Sequence, residues 1–316
     1  MKKLQLIILG GFIAFLFLLF SFYLLLSPPK QFPIRSIVQI ENGETLNNIA
    51  KRFKEDLLIR STGIFQSLVI FLGGEKKVDA GGYFFEEPLS TPELARRVVN
   101  GYYNLPSIKV VFPEGLSIEE MSKVLEDKLP RFNKEEFLFL TESKEGFLFP
   151  DTYFFTPIST VKEVVQTLTN NFEEKILPFR DDIILSGRSF EDIIIMASII
   201  EKEAGPYDNR NIISNIFWKR LDKNMLLQAD ATFSYINGKS SSQLTKEDLK
   251  IDSSYNTYKY LGLPPTPIAN PGLKSIEASL YPEDSPYFYY LHGLDGNIYY
   301  AETHQEHLNN KNKYLK

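Results

Sequence analysis

The chain has 316 residues, 43% of them hydrophobic, and a net charge of −5. That is enough apolar material for a sizeable core, and the acidic balance leaves no basic footprint for nucleic acid. With no cysteine, disulfides, thiol catalysis, thiolate-bound zinc and a lipid-modified N-terminal cysteine are excluded.

After Lys2 and Lys3, residues 4–26 carry no charge and are mostly Leu, Ile and Phe. The run predicts a helix able to span a hydrocarbon core of about 30 Å, stopped by Pro28 and Pro29. A retained anchor and a cleaved signal peptide compete here. The run exceeds the usual signal core of about 7–15 residues, and Leu25-Leu26-Ser27-Pro28 is a poor cleavage site, which favours the anchor. Lys2 and Lys3 place the N-terminus in the cytoplasm by the positive-inside rule, with Lys30 and Arg35 pulling the other way. The expected division is an anchor over 1–27, a stiff proline-bearing linker over 28–36, a small α/β domain over 37–105 and a larger α+β domain over 106–316.

A strand is expected over 37–40, a turn at Asn42-Gly43, and a helix capped by Thr45 through Leu46, Ile49, Ala50 and Phe53. The pattern returns at a constant offset: a strand over 110–112, Gly115 for Gly43, Ser117 for Thr45, Ile118 for Leu46, Met121 for Ile49 and Leu125 for Phe53. Ser117 and Glu120 form a capping box. Either this is an internal repeat, or two strand-turn-helix units share generic cues. Between them, 83–85 reads as a strand and Ser90 with Glu93 opens a helix through Leu94 and Val98. Helical spacing recurs over 161–176, 190–204 and 211–221. Residues 228–272 are rich in Asn, Asp, Ser, Thr, Tyr, Gly and Pro, which predicts loops and short elements, the kind of segment that carries a binding site. A short helix over 276–280 and a hairpin around Asp295-Gly296, with strands over 287–291 and 298–301, close the chain.

The chemistry-bearing residues are few. His304 and His307 lack the spacing of a helical zinc motif and read as surface polar residues, as does His292. No glycine-rich phosphate loop and no G-x-S-x-G elbow is present. Carboxylates among aromatics and amides remain, which suits carbohydrate. In "IIIMASIIEKEAG" (193–205), Glu201 and Glu203 end an apolar helix about 200° apart, so they face different ways. Glu203 follows Met196, Ile199 and Ile200, and Glu201 follows Ala197 and Ser198. A carboxyl at the end of an apolar face is partly desolvated, stays protonated to higher pH and can donate a proton. A solvated Glu-Lys-Glu helix end is the competing reading of the same pattern.

The sequence resembles the MltG-type (YceG-like) endolytic murein transglycosylases. The resemblance rests on "EGFLFPDTYFF" (145–155), "MASIIEKEAG" (196–205), "LLQADATFSY" (226–235), "YNTYKYLGLPPTPIANPG" (255–272) and "SIEASLYP" (275–282), in order and with the family's spacing. It implies a LysM-like domain at "VQIENGETLNNIAKRF" and a catalytic domain after it. The implied activity is endolytic cleavage of nascent glycan strands between N-acetylmuramic acid and N-acetylglucosamine. The products carry 1,6-anhydromuramic ends, and strand elongation is terminated. The resemblance places the catalytic glutamate in "EKE": Glu203, with Glu201 as runner-up. Gln228, Asp230, Tyr255, Asn256 and Tyr258 are candidates for holding the sugar, each with a loop-stabilising role as the alternative. Glu145 and Asp151 read as loop-fixing. The reaction needs no cofactor and no metal. The implied partners are glycan strands, the membrane and peptidoglycan synthases. The implied location is the inner membrane, single-pass, with the large domain outside. A non-catalytic LysM-type scaffold and a lysozyme-like hydrolase are the competing functions.

Overall fold

The computed structural model describes residues 2–74, 78–205 and 209–315. The chain divides into two compact units, Met1–Ser107 with Thr156–Ile158, and Ile108–Phe155 with Ser159–Lys316. The fold is mixed α+β with small sheets.

The first unit begins with α1 (Lys2–Leu26). Over Ile7–Leu26 its mean hydropathy is 2.5, and among the described residues it is the one helix long and apolar enough to cross a membrane. Phe12, Phe15, Phe17 and Leu18 are among its exposed side chains. Beyond Pro28 the chain forms β1 (Ser36–Ile40), α2 (Leu46–Glu55), α3 (Thr62–Phe71), β2 (Gly81–Phe85) and α4 (Thr91–Asn100). Side-chain oxygens of Thr45, Ser61 and Ser90 accept from the first-turn amides of α2, α3 and α4, supplying the partners that helix starts lack. β1 and β2 pair antiparallel, Ser36 opposite Phe85 and Ile40 opposite Gly81. Alternation turns Val38 and Ile40 inward with Tyr83 and Phe85. They meet Phe53 and Phe65, whose ring centroids are 5.4 Å apart. Helix α3 was not foreseen: its sequence is apolar nearly throughout, so no single face stands out.

The second unit opens on the same local pattern. β3 (Ile108–Val111) leads to α5 (Ile118–Lys128), and Ser117 with Glu120 closes the expected capping box. Gly43 and Gly115 both hold left-handed turns, at φ +80° and +81°, where a side chain is disfavoured. Ile49 and Phe53 of α2 are buried, as are Met121 and Leu125 of α5. Next come α6 (Lys134–Thr141), β4 (Thr152–Phe155), α7 (Val161–Ile176), α8 (Arg180–Leu185), α9 (Phe190–Glu203) and α10 (Arg210–Asp222). The chain continues through α11 (Ala231–Asn237), α12 (Leu273–Leu280), β5 (Tyr289–His292), β6 (Ile298–Ala301) and α13 (His304–Tyr314). β3 pairs antiparallel with β4, and β5 with β6.

α9 is the central rod. Every residue from Ile193 to Ile200 is buried, so the helix is wrapped on all sides and not only along one stripe. Its small positions accept polar neighbours. Ser198 Oγ donates to Ile195 O at 2.7 Å and accepts from Ile268 N at 3.0 Å. Ser279 Oγ of α12 donates to Ile193 O at 2.8 Å, and Trp218 Nε1 of α10 donates to Ser279 O at 2.9 Å. Ser198, Ser279 and Trp218 are thereby satisfied although buried.

The C-terminal helix α13 was not anticipated, because it has no apolar stripe. It is held by ring contacts: Tyr314 stacks on Tyr299 and His307 on Tyr289, with centroids 3.5 and 5.4 Å apart. The surface reading therefore fails for His307. Half-buried against Tyr289, its imidazole is pushed down to about 4, chiefly by desolvation.

Candidate active site

The last turn of α9 presents its two carboxylates to different surroundings. Glu201 is 6% exposed at its side chain and accepts from Gly272 N at 2.9 Å. Arg210 Nη2 lies 3.6 Å from its other oxygen. Glu114 is close enough that burial, and then the Glu201 charge, raise its carboxyl above the usual range. These contacts link Glu201 to the start of α12 and to the first residue of α10.

Glu203 faces another neighbourhood. Its Oε1 accepts from Ala231 N at 2.8 Å, and its Oε2 accepts from Tyr290 Oη at 2.8 Å. Ala231 is the first residue of α11 and Asp230 offers no side-chain cap, so Glu203 takes an amide the helix cannot satisfy itself. Burial pushes the Glu203 carboxyl up. The two donors pull it back, the nearby Asp230 pushes it further, and His292 lowers it. Desolvation is the largest of these effects, and it favours a carboxyl that carries a proton for delivery.

The sequence candidates in the 228–272 loops divide. Asp230 Oδ1 accepts from Tyr258 Oη at 2.5 Å, and both are within electrostatic reach of Glu203. Gln228 is exposed and holds φ +53°, a strained conformation for a residue with a side chain. Tyr255 packs on Tyr235 at 4.9 Å and shares a 2.7 Å hydrogen bond with Thr266. Asn256 is fully buried. Its amide donates to Leu249 O and Ile251 O at 3.0 and 2.8 Å and accepts from Tyr258 N at 3.0 Å. These bonds turn its side chain into its own loop.

Three contributors went unmarked in the sequence: the Ala231 amide, Tyr290 and Arg220. Arg220 is 7% exposed. Its Nε donates to Phe288 O at 2.9 Å and its Nη1 to Leu227 O at 2.5 Å, while its guanidinium lies 5.0 Å over the Tyr289 ring. One cation thus ties the strand that carries Tyr290 to the segment that leads into Ala231. Each lay in a segment the sequence did mark, Arg220 in the helix over 211–221, Ala231 in "LLQADATFSY" and Tyr290 in the hairpin strand over 287–291, but none with a role at the site.

Farther along α11, Ser234 and Tyr235 line a cavity of about 570 Å³, with Lys202, Ser117 and Glu145 around it. Glu145 accepts from Ile118 N at 3.2 Å on each oxygen and from Asn270 Nδ2 at 3.1 Å. Asp151 Oδ1 accepts from Thr152 N at 2.7 Å. Burial pushes the Glu145 carboxyl up to about 7 from an unfolded 4.5. The folded state then holds a proton that the unfolded chain gives up, so this contribution is complete below the unfolded value and lost as pH rises through about 7. A full shift of that size is on the order of 3 kcal/mol. Glu145→Gln should accordingly flatten the fall of melting temperature between about pH 5 and pH 8. An unchanged slope in calorimetry would place the titrating group elsewhere.

The chain belongs to the YceG-like family, whose model matches residues 38–313. It is 28% identical over 306 residues to the endolytic murein transglycosylase of Bacillus subtilis (strain 168), covering 88% of this chain and 84% of that one. It is 24% identical over 340 residues to the endolytic murein transglycosylase of Streptococcus pneumoniae serotype 2 (strain D39 / NCTC 7466), covering 94% of this chain and 61% of that longer protein. Among solved structures it is similar to a 2.6 Å crystal structure of a yceG-like protein from Listeria monocytogenes. The TM-score is 0.60 at 30% identity, over 87% of this chain and 98% of that chain.

Proposed function

We propose that this protein is an endolytic peptidoglycan lytic transglycosylase, with Glu203 as its acid and base. The observation that carries this reading is the desolvated Glu203 carboxyl gripped by two donors, in a chain similar to proteins named for that activity. Glu203 protonates the glycosidic oxygen between N-acetylmuramic acid and N-acetylglucosamine as the C1–O bond breaks. The carboxylate left behind takes the proton of the muramic C6 hydroxyl, whose oxygen bonds to C1. No water enters, so one residue serves both half-steps, whereas ordinary glycosidases use a carboxyl pair. Asp230 and Tyr258 stand beside Glu203 as candidates for orienting the sugar, with Gln228 and Tyr255 on the neighbouring loop.

In the same reading α1 is a retained single-pass anchor of the inner membrane, with the remainder outside and glycan strands reached from there. Residues 37–105 form a LysM-like domain and 106–316 the catalytic domain. The βααβ order of β1, α2, α3 and β2 supports the LysM-like reading. Cutting nascent strands near the membrane would end their elongation, with peptidoglycan synthases as neighbours.

Mass spectrometry of glycan strands digested by the full chain in detergent tests the reaction. Anhydromuramic ends, each one water lighter than a hydrolysed end, are expected. Reducing muramic ends would instead make the protein a hydrolase, and intact strands would make it a scaffold.

A further inference from the structure

We infer that Tyr290 is a positioning residue for the acid, fixing which oxygen of Glu203 delivers the proton and tuning when it does so; this rests on the proposed role of Glu203. The donor geometry supplies the reason. Oε1 receives the Ala231 amide at 2.8 Å, and a backbone N–H can only donate. A proton placed on that oxygen would face another proton. Oε2 meets the Tyr290 hydroxyl at 2.8 Å, a group that both donates and accepts. The acidic proton therefore resides on Oε2. When Glu203 is protonated, the hydroxyl can accept from it or leave it to the substrate. After delivery the hydroxyl donates back to the carboxylate. Both protonation states keep their hydrogen bonds, and neither leaves a buried polar group unpaired.

The phenol is suited to this two-way duty because it stays un-ionised. Burial, then the Glu203 charge, push its own dissociation well above the usual phenol range. The ring is placed by its strand: it stands edge-on to Phe217 at 6.0 Å and to His292 at 5.9 Å. The charged and titratable groups around Glu203 are Arg220 of α10, Asp230 before α11, Tyr258 of the following loop, and His292 of β5. Two groups hold the Glu203 carboxylate directly, the Ala231 amide on Oε1 and the Tyr290 hydroxyl on Oε2.

The test is the pH dependence of kcat/KM for strand cleavage by the full chain in detergent. A protonated acid is needed first, so activity falls on the alkaline side as Glu203 ionises. Tyr290→Phe keeps the ring and removes the donor that stabilises the carboxylate. The alkaline limb should move up by about one pH unit, with KM unchanged. A ring-fluorinated tyrosine at 290 is a stronger donor and should move the limb down. Tyr289→Phe, on the opposite face of the strand, should leave it in place. A limb that stays put in both Tyr290 variants overturns the positioning role. Full activity in Glu203→Gln overturns instead the glutamate assignment beneath it.

Discussion

Glu203→Gln should fold normally and lose at least about 10²–10⁴-fold in strand cleavage, the range general acid–base catalysis supplies. Glutamine can still accept from Ala231 N through its carbonyl oxygen, and its amide can donate to the Tyr290 hydroxyl. What it cannot do is release a proton and recover one. A neutral amide is also less costly to bury than a carboxylate, so the melting temperature should stay level or rise slightly. Glu201→Gln should show the opposite profile. It removes the charge facing Arg210, 3.6 Å away, and weakens the hold on Gly272, so stability falls while cleavage continues. Both variants should be assayed on one glycan preparation alongside their melting curves. A dead Glu201→Gln with a working Glu203→Gln would transfer the catalytic role to Glu201 and leave family membership untouched.

The second large effect is expected at Arg220. Arg220→Met removes the donors to Phe288 O and Leu227 O and fills most of the volume with an apolar chain. Two carbonyls lose their partners, at about 1–3 kcal/mol each when left unsatisfied. A loss near 3 kcal/mol lowers the melting temperature of a unit this size by roughly 6–12 °C. Activity should fall too, because β5 and the approach to α11 carry the two groups that grip Glu203. Arg220→Lys should recover little, since one ammonium lacks the planar fork that reaches both carbonyls. A methionine variant that melts with the wild type would show that the guanidinium is not the clamp.

These two residues also mark what the sequence discloses. Elements with local signals were legible: Thr45, Ser90 and Ser117 cap helices, and Asp295-Gly296 turns a hairpin, with Gly296 at φ +80°. The divergence of Glu201 and Glu203 was legible as well, because helical geometry alone separates their faces. Elements without a stripe were not: α3 is apolar nearly all round and α13 polar nearly all round. Contacts across long sequence separations were equally hidden. Nothing near Glu203 announces Tyr290, 87 positions later, and a buried arginine such as Arg220 looks in the sequence like any other end of an amphipathic helix. Asn256 shows the converse: an amide in a polar loop suits a sugar and suits its own loop equally, and its bonds to Leu249 O, Ile251 O and Tyr258 N could not be read from the sequence.

Asn270 bears on how the second unit comes into being. Its carbonyl oxygen Oδ1 receives the amides of Gly146 and Leu148 at 3.0 Å each, its Nδ2 reaches Leu116 O at 3.0 Å, and its backbone bonds to the 115–116 segment in both directions. The bond to Leu116 spans 154 positions. A ribosome adding about 5–20 residues per second needs roughly 8–30 s to cover that distance. During that interval the loop at Glu145 and the start of α5 lack their closing partner, so this unit is committed to late, high-contact-order folding. Chains halted before Asn270 should stay protease-sensitive throughout residues 108–155, however well the first unit has already formed.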